Sequence, residues 1–165
     1  MVTAYNRDEA LQAAEQKAVH LSTVLTKPVT PSTLLEAIGA ALGKHMDVQT
    51  HAGNKVQDQA QNMANLAGVR LLLVEDNDMN QELALELLGA AGVEVKVANH
   101  GQEALDMLAT GTAFDGVLMD CQMPVMDGYA ATRAIRANAR WAKLPIIAMT
   151  ANAMAGDKEK SWTLV

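Results

Sequence analysis

Apolar residues along this chain gather in short runs, and each run stops at a polar residue that could do chemistry. Val69-Arg-Leu-Leu-Leu-Val74 leads into Glu75, Asp76 and Asn77; Val117-Leu-Met119 leads into Asp120; Leu144-Pro-Ile-Ile-Ala-Met149 leads into Thr150. An earlier and shorter run, Leu21-Ser-Thr-Val-Leu-Thr26, leads into Lys27-Pro28. Runs of this length, mostly lacking alternation, predict strands covered on both faces. Val93-Glu-Val-Lys-Val-Ala98 alternates and predicts a strand with one polar face. Helical spacing fills the intervals: 78–91 with Leu83, Leu87 and Leu88 on one face before Gly92, 102–109 with Ala104, Leu105 and Leu108, and a helix around 129–138. Upstream, Asn6 caps a segment rich in helix formers to Ala18, and 32–42 carries the stripe Leu34, Leu35, Ile38 and Leu42 before Gly43. The last stretch, 152–165, starts like a helix and stops.

Alternating strands and helices with apolar strands predict an α/β fold, a doubly wound parallel sheet with helices on both faces. Such sheets present their ligand crevice at the carboxyl ends of the strands. Phe114-Asp-Gly-Val-Leu-Met-Asp-Cys-Gln-Met-Pro-Val-Met-Asp-Gly128 is the stretch in which strand, acid and Asp127-Gly128 turn follow most closely. Between 44 and 68 the composition shifts to Gln, Asn, Asp, His and Gly, which predicts a linker. As a flexible coil of about 25 residues, its ends would sit roughly 25–30 Å apart. His45 and His51 fall there as solvated linker histidines, and His100 falls in a surface turn.

Composition narrows the classes. The chain has 165 residues, half of them apolar and 19% charged, which suits a globular domain with a real core. A net charge of −6 and no clustered basic face argue against a nucleic-acid partner. Cys121 is the single cysteine, so no internal disulfide framework exists and a reducing, cytoplasmic setting is expected. No apolar run reaches the roughly 18 residues of a membrane helix, so this segment has no membrane partner, although a longer parent could be membrane-anchored. Without a nearby histidine in sequence, Cys121 is a poor candidate nucleophile.

Three carboxylates at one sheet edge repel one another and favour a divalent cation; an all-oxygen set suits Mg²⁺. A carboxylate beside such a metal can attack a phosphoryl group and form an aspartyl phosphate. That transfer needs positioning and charge neutralisation, for which Asp120, Glu75, Asp76, Thr150 and Lys27 are the available parts. Acids at strand ends are also common as plain loop residues, so the combination carries the argument.

Leu-Leu-Leu-Val-Glu-Asp-Asn, Met-Asp-Cys-Gln-Met-Pro-Val-Met-Asp-Gly and Ile-Ala-Met-Thr-Ala-Asn-Ala together closely resemble the receiver domain of two-component response regulators, in the variety attached to hybrid sensor histidine kinases. The resemblance covers about 68–160 and implies a flavodoxin-like (β/α)5 fold. It implies Asp120 as phosphoacceptor from a phosphohistidine, and Asp76, Asp120 and the Gln122 backbone carbonyl as Mg²⁺ ligands, with Glu75 acting mostly through water. Thr150 would close on the phosphoryl oxygens, and Gln122 and Asn152 occupy positions that tune dephosphorylation. Asn80 and Gln81 match the hybrid-kinase style of first helix. The implied partners are a histidine kinase phosphodonor and a histidine phosphotransfer domain; no kinase core is read in this chain. A phosphohydrolase working through an aspartyl phosphate would want an acid where Gln122 stands.

The match breaks at its end. After Lys160 the family would finish a helix and run a strand into Lys-Pro and a last helix, but this chain gives Ser161-Trp-Thr-Leu-Val165. The Lys-Pro stands instead at Lys27-Pro28, and 1–43 resembles the back end of a second receiver. The expected organisation is therefore a receiver fragment over 1–43, a linker over 44–68 and a receiver truncated at its C-terminus over 69–165. The N-terminal segment could complete the sheet, either within one chain as a circular permutation or between chains in a swapped homodimer. Left incomplete, the pocket would lack its lysine and the chain would be an interaction module that accepts no phosphate. Val24 stands where the family often has an aromatic switch residue.

Overall fold

The computed structural model describes residues 21–27, 29–44 and 66–150. The helices expected at 6–18 and from 152 onward, the histidines 45 and 51, Pro28 and Asn152 lie outside the described residues. Five strands, β1 (Thr23–Thr26), β2 (Arg70–Val74), β3 (Glu94–Ala98), β4 (Gly116–Asp120) and β5 (Ile146–Thr150), form one sheet in the order β1-β5-β4-β2-β3. Every adjacent pair is parallel. Position in that order explains composition. The three inner strands are buried almost throughout, whereas β3, at one edge, alternates polar and apolar, and β1, at the other, is Thr-Val-Leu-Thr.

Strand periodicity sorts the core into two layers. Leu71, Leu73, Leu118, Ile147 and Met149 face one side, where helix α1 (Pro31–Ala41) contributes Leu34, Leu35, Ala37 and Ile38, and helix α2 (Asp78–Ala90) contributes Leu88. Leu72, Val74, Val117, Met119 and Ile146 face the other, under α3 (Gly101–Ala109) with Ala104 and Leu108 and α4 (Gly128–Ala137) with Ala131 and Ile135. This is the doubly wound arrangement expected from the alternation of elements, with its fifth strand supplied by the N-terminal segment of the same chain. Thr23, Val24, Leu25 and Thr26 pair with Ile147, Ala148, Met149 and Thr150. In the single chain described, the sheet is completed by the chain's own N-terminal segment.

Each of these four helices starts on a side chain that satisfies an orphan amide. Thr30 and Thr33 exchange a reciprocal capping box ahead of Pro31, so α1 begins one residue earlier than its spacing predicts. Asn77 caps α2 and Asp127 caps α4. His100, expected as a simple surface histidine, is half-buried and caps α3, its Nδ1 accepting from the Glu103 amide at 3.1 Å. Gly92 follows α2 at φ +70°, a region a side chain rarely enters.

Two expectations about burial change. Leu83 is 51% exposed, because α2 meets the sheet through Leu88 and Leu87 while Leu83 sits a turn nearer the open crevice. Leu66, assigned to the linker by composition, is fully buried in the layer under α1 and α2, and Gly68 donates to the Gly92 carbonyl. Val24 is buried beside Ala148 and Cys121, and the aromatic ring packed against that cluster comes from Tyr129.

Ile38 is completely buried in the same layer as Leu71 and Leu118. Ile38→Ala is predicted to lower unfolding free energy by about 2–5 kcal/mol in urea titration. A loss within about 0.5 kcal/mol, as for a surface change, would mean that α1 is not part of the domain's core.

Candidate functional site

The chain leaves β2 toward β3 on one side and returns through β4 on the other, so the crevice between the ends of β2 and β4 is a topological switch point. Glu75 and Asp76 follow β2, and Asp120 is the last residue of β4. One carboxylate oxygen from each lies within 4.8 Å of the others. Glu75 and Asp120 are buried while Asp76 is exposed, so the cluster has a closed inner side and an open outer one.

Lys27, one residue past β1, enters this cluster. Its Nζ donates to Glu75 Oε2 and Asp120 Oδ2, each at 2.6 Å, and its side chain is 17% exposed. The β1–β5 register delivers it, because the Lys27 amide continues the ladder by donating to the Thr150 carbonyl at 2.7 Å. Burial alone would push the Lys27 pKa down, but the hydrogen bonds and charges of Asp120 and Glu75 outweigh it and hold the value above 10.5. The second Asp120 oxygen, Oδ1, accepts from the Gln122 backbone amide at 3.1 Å. Thr150 ends β5 and is buried beside this ladder.

A tight loop supports the acid from behind. Met126 N–H donates to the Pro124 carbonyl at 2.7 Å, a three-residue turn that holds the exposed Val125 at φ +67°. Gly128 then passes so close to the β4 end that a Cβ on it would overlap the Asp120 carbonyl oxygen.

Asn80 and Gln81, matched in the sequence only by motif, both reach Glu75. Asn80 Nδ2 donates to Glu75 Oε1 at 2.8 Å, and Gln81 Nε2 bridges the Glu75 carbonyl at 2.7 Å and Asn99 Oδ1 at 3.0 Å. The signal was their position at the start of α2: residues one turn in from the cap at Asn77 lie over the strand end that precedes the helix. Cys121 is buried, unlike the accessible cysteines that act as nucleophiles.

The donor set suits a hard divalent cation. It is all oxygen, it opens to solvent at Asp76, and three carboxylates against one ammonium leave two negative charges to balance.

Comparison with known proteins agrees with this geometry. Residues 71–164 match the family model described as the response regulator receiver domain, and the chain belongs to that family. It is 45% identical over 98 residues to hybrid signal transduction histidine kinase I of Dictyostelium discoideum, covering 55% of this chain and 6% of that protein. It is 32% identical over 185 residues to probable histidine kinase 4 of Oryza sativa subsp. japonica, covering 91% of this chain and 18% of that protein. The chain thus spans under a fifth of the length of these relatives, and a match covering 91% necessarily reaches into its N-terminal segment. Among solved structures it resembles the receiver domain of sensor histidine kinase PA1611 from Pseudomonas aeruginosa PAO1, which has a magnesium ion coordinated in its active site cleft. That likeness has a TM-score of 0.51 at 46% identity and covers 56% of this chain and 75% of that one. Among the described residues no helix is long and apolar enough to cross a membrane.

Proposed function

We propose that the chain is a phosphoacceptor module of a phosphorelay, in which Asp120 takes a phosphoryl group from a phosphohistidine of a histidine kinase. The observation that carries this reading is the Lys27 ammonium held 2.6 Å from both Glu75 and Asp120 beside an open, oxygen-lined crevice. An Asp120 carboxylate oxygen forms the new P–O bond as the N–P bond breaks, and the leaving imidazole keeps the electron pair and takes a proton from solvent. Mg²⁺, held by Asp76, Asp120 and the Gln122 carbonyl with Glu75 behind water, would neutralise the phosphoryl oxygens. Lys27 offsets charge on the opposite side, and the Gln122 amide fixes which Asp120 oxygen is engaged. Thr150 closes on the phosphoryl group, and Gln122 and Asn152 set how readily water reaches it.

The same proposal assigns the parts. Residues 1–43 are the back end of a receiver, 44–68 the connection and 69–165 the receiver body, docked so that the first completes the last. The parent is a hybrid histidine kinase with this module in the cytoplasm, and a histidine phosphotransfer domain receives the group next. New charge on Asp120 then biases a surface near Thr150 between two states.

Incubation with Mg²⁺ and acetyl phosphate, followed by intact mass, tests the central step. We expect one added phosphoryl group on the parent, none on Asp120→Asn, and none on the parent after chelation of the metal. A folded parent that stays unlabelled would make this an interaction module that does not accept phosphate.

A further inference from the structure

Glu75 is only 1% exposed, yet it carries a full carboxylate beside a second buried one. A buried carboxylate accepts and cannot donate, so its orientation is set by whichever donors reach it. Two side chains do. Lys27 takes Oε2, which faces Asp120, and Asn80 takes Oε1 from the helix side at 2.8 Å. Gln81 fixes the backbone of the same residue by bonding its carbonyl and bracing that bond against Asn99 on the neighbouring strand end. Asn80 is itself at an exposed position of α2, yet its side chain turns inward to Glu75.

The geometry points to Asn80 as a positioning residue of the phosphoacceptor pocket. Its amide orients Glu75 so that Lys27 is shared with Asp120 and the exposed Asp76 faces the cation. The two adjacent acids thereby acquire different duties: Glu75 holds the ammonium from within, and Asp76 meets the metal from solvent. Without the Asn80 donor, Oε1 is a buried acceptor left unpaired, and the carboxylate turns to find water or metal. Lys27 then loses one of its two anchors. This inference rests on the phosphoacceptor reading above, but it also predicts an effect that needs no phosphoryl transfer.

Two full-chain variants separate orientation from packing. Asn80→Leu keeps the branched shape on a somewhat larger side chain and removes the donor; Asn80→Gln keeps an amide on a longer arm at an exposed position. Mg²⁺ affinity, read by calorimetric titration, and the labelling rate with acetyl phosphate at saturating Mg²⁺ are the two measurements. Asn80→Leu is expected to weaken Mg²⁺ binding and to slow labelling, each by about tenfold, the usual consequence of losing a partner behind a metal site. Asn80→Gln is expected to stay within about threefold of the parent on both, well under that tenfold loss. Equal losses in the two variants, or none in either, would overturn the assignment. A parent that binds Mg²⁺ but takes no phosphoryl group would count against the phosphoacceptor reading alone, because the titration still reads the Asn80 effect.

Discussion

Lys27→Ala is expected to slow labelling of Asp120 by acetyl phosphate at least about a hundredfold while leaving the chain able to bind Mg²⁺, the scale seen when one charge-stabilising donor is removed from a preorganised site. The reason is local. Lys27 is the cation shared by Glu75 and Asp120, and both carboxylates are almost wholly withdrawn from water. Removing it leaves two buried like charges facing each other, so stability without metal should also fall, by about 3 kcal/mol. Added Mg²⁺ should return part of that loss, since it supplies positive charge to the same cluster. The pH dependence follows from the direction of the shift. A raised lysine pKa gives stability fully present below the ordinary value, and that stability is lost only as pH climbs through the folded value, above 10.5. The gap between parent and variant in urea denaturation should therefore show no step from Lys27 between about pH 6 and 9. Mixing Lys27→Ala with Asp120→Asn chains adds a check on connectivity. Because β1 pairs with β5 of its own chain, the mixture should label no faster than its components. Recovery toward about a quarter of the parent's labelling, the share random pairing of the two chains allows, would show that the N-terminal segment is exchanged between chains.

The second large effect is expected from Gly128→Ala. An added methyl would overlap the Asp120 carbonyl oxygen and stand 2.9 Å from its carbon and 3.0 Å from the Cys121 Cα. All three are backbone atoms, so no side chain can swing aside. The start of α4 or the end of β4 must move, which costs about 3 kcal/mol at the upper end of ordinary overpacking. Displacing β4 also displaces the Asp120 carboxylate, and a shift of about 1 Å at a reacting group is enough for a hundredfold loss of rate. Thermal unfolding and the labelling rate should fall together. A variant that unfolds like the parent and labels at the parent's rate would show that the close approach is not real.

Much of this was written in the local pattern of the chain. The inner strands were legible because burial on both faces leaves an unbroken apolar run, and the acids were legible because each run stops abruptly at one. Leu83 was misplaced because helical spacing shows which side of a helix is apolar but not how far the sheet extends beneath it. Leu66 was lost in a polar stretch, where one buried leucine leaves no periodic signal. His100 read as a surface residue because a capping histidine looks like any turn histidine until the Glu103 amide is placed. Asn80 was noticed for its neighbours in the motif, yet its contact with Glu75 depends on where the first turn of α2 lies over β2. The arrival of Lys27 depended on tertiary pairing alone. Lys-Pro at 27–28 said which lysine to consider, and only the β1–β5 ladder carries it to the carboxylates.

That ladder has a kinetic cost as well as a structural result. Ser22 and Ile146, which meet at its start, are 124 positions apart in the chain, whereas β2 and β3 are joined by a single helix. Loop-closure entropy rises with separation, and contacts between distant positions are slow to form. The four strands from β2 to β5 can find one another first, with Glu75, Asp76 and Asp120 brought together before any ammonium reaches them. Any form of the chain in which these four strands have paired and β1 has not carries the acidic cluster assembled and unbalanced. Dissolved divalent cations would act on that form as a folding aid, before they act as anything else.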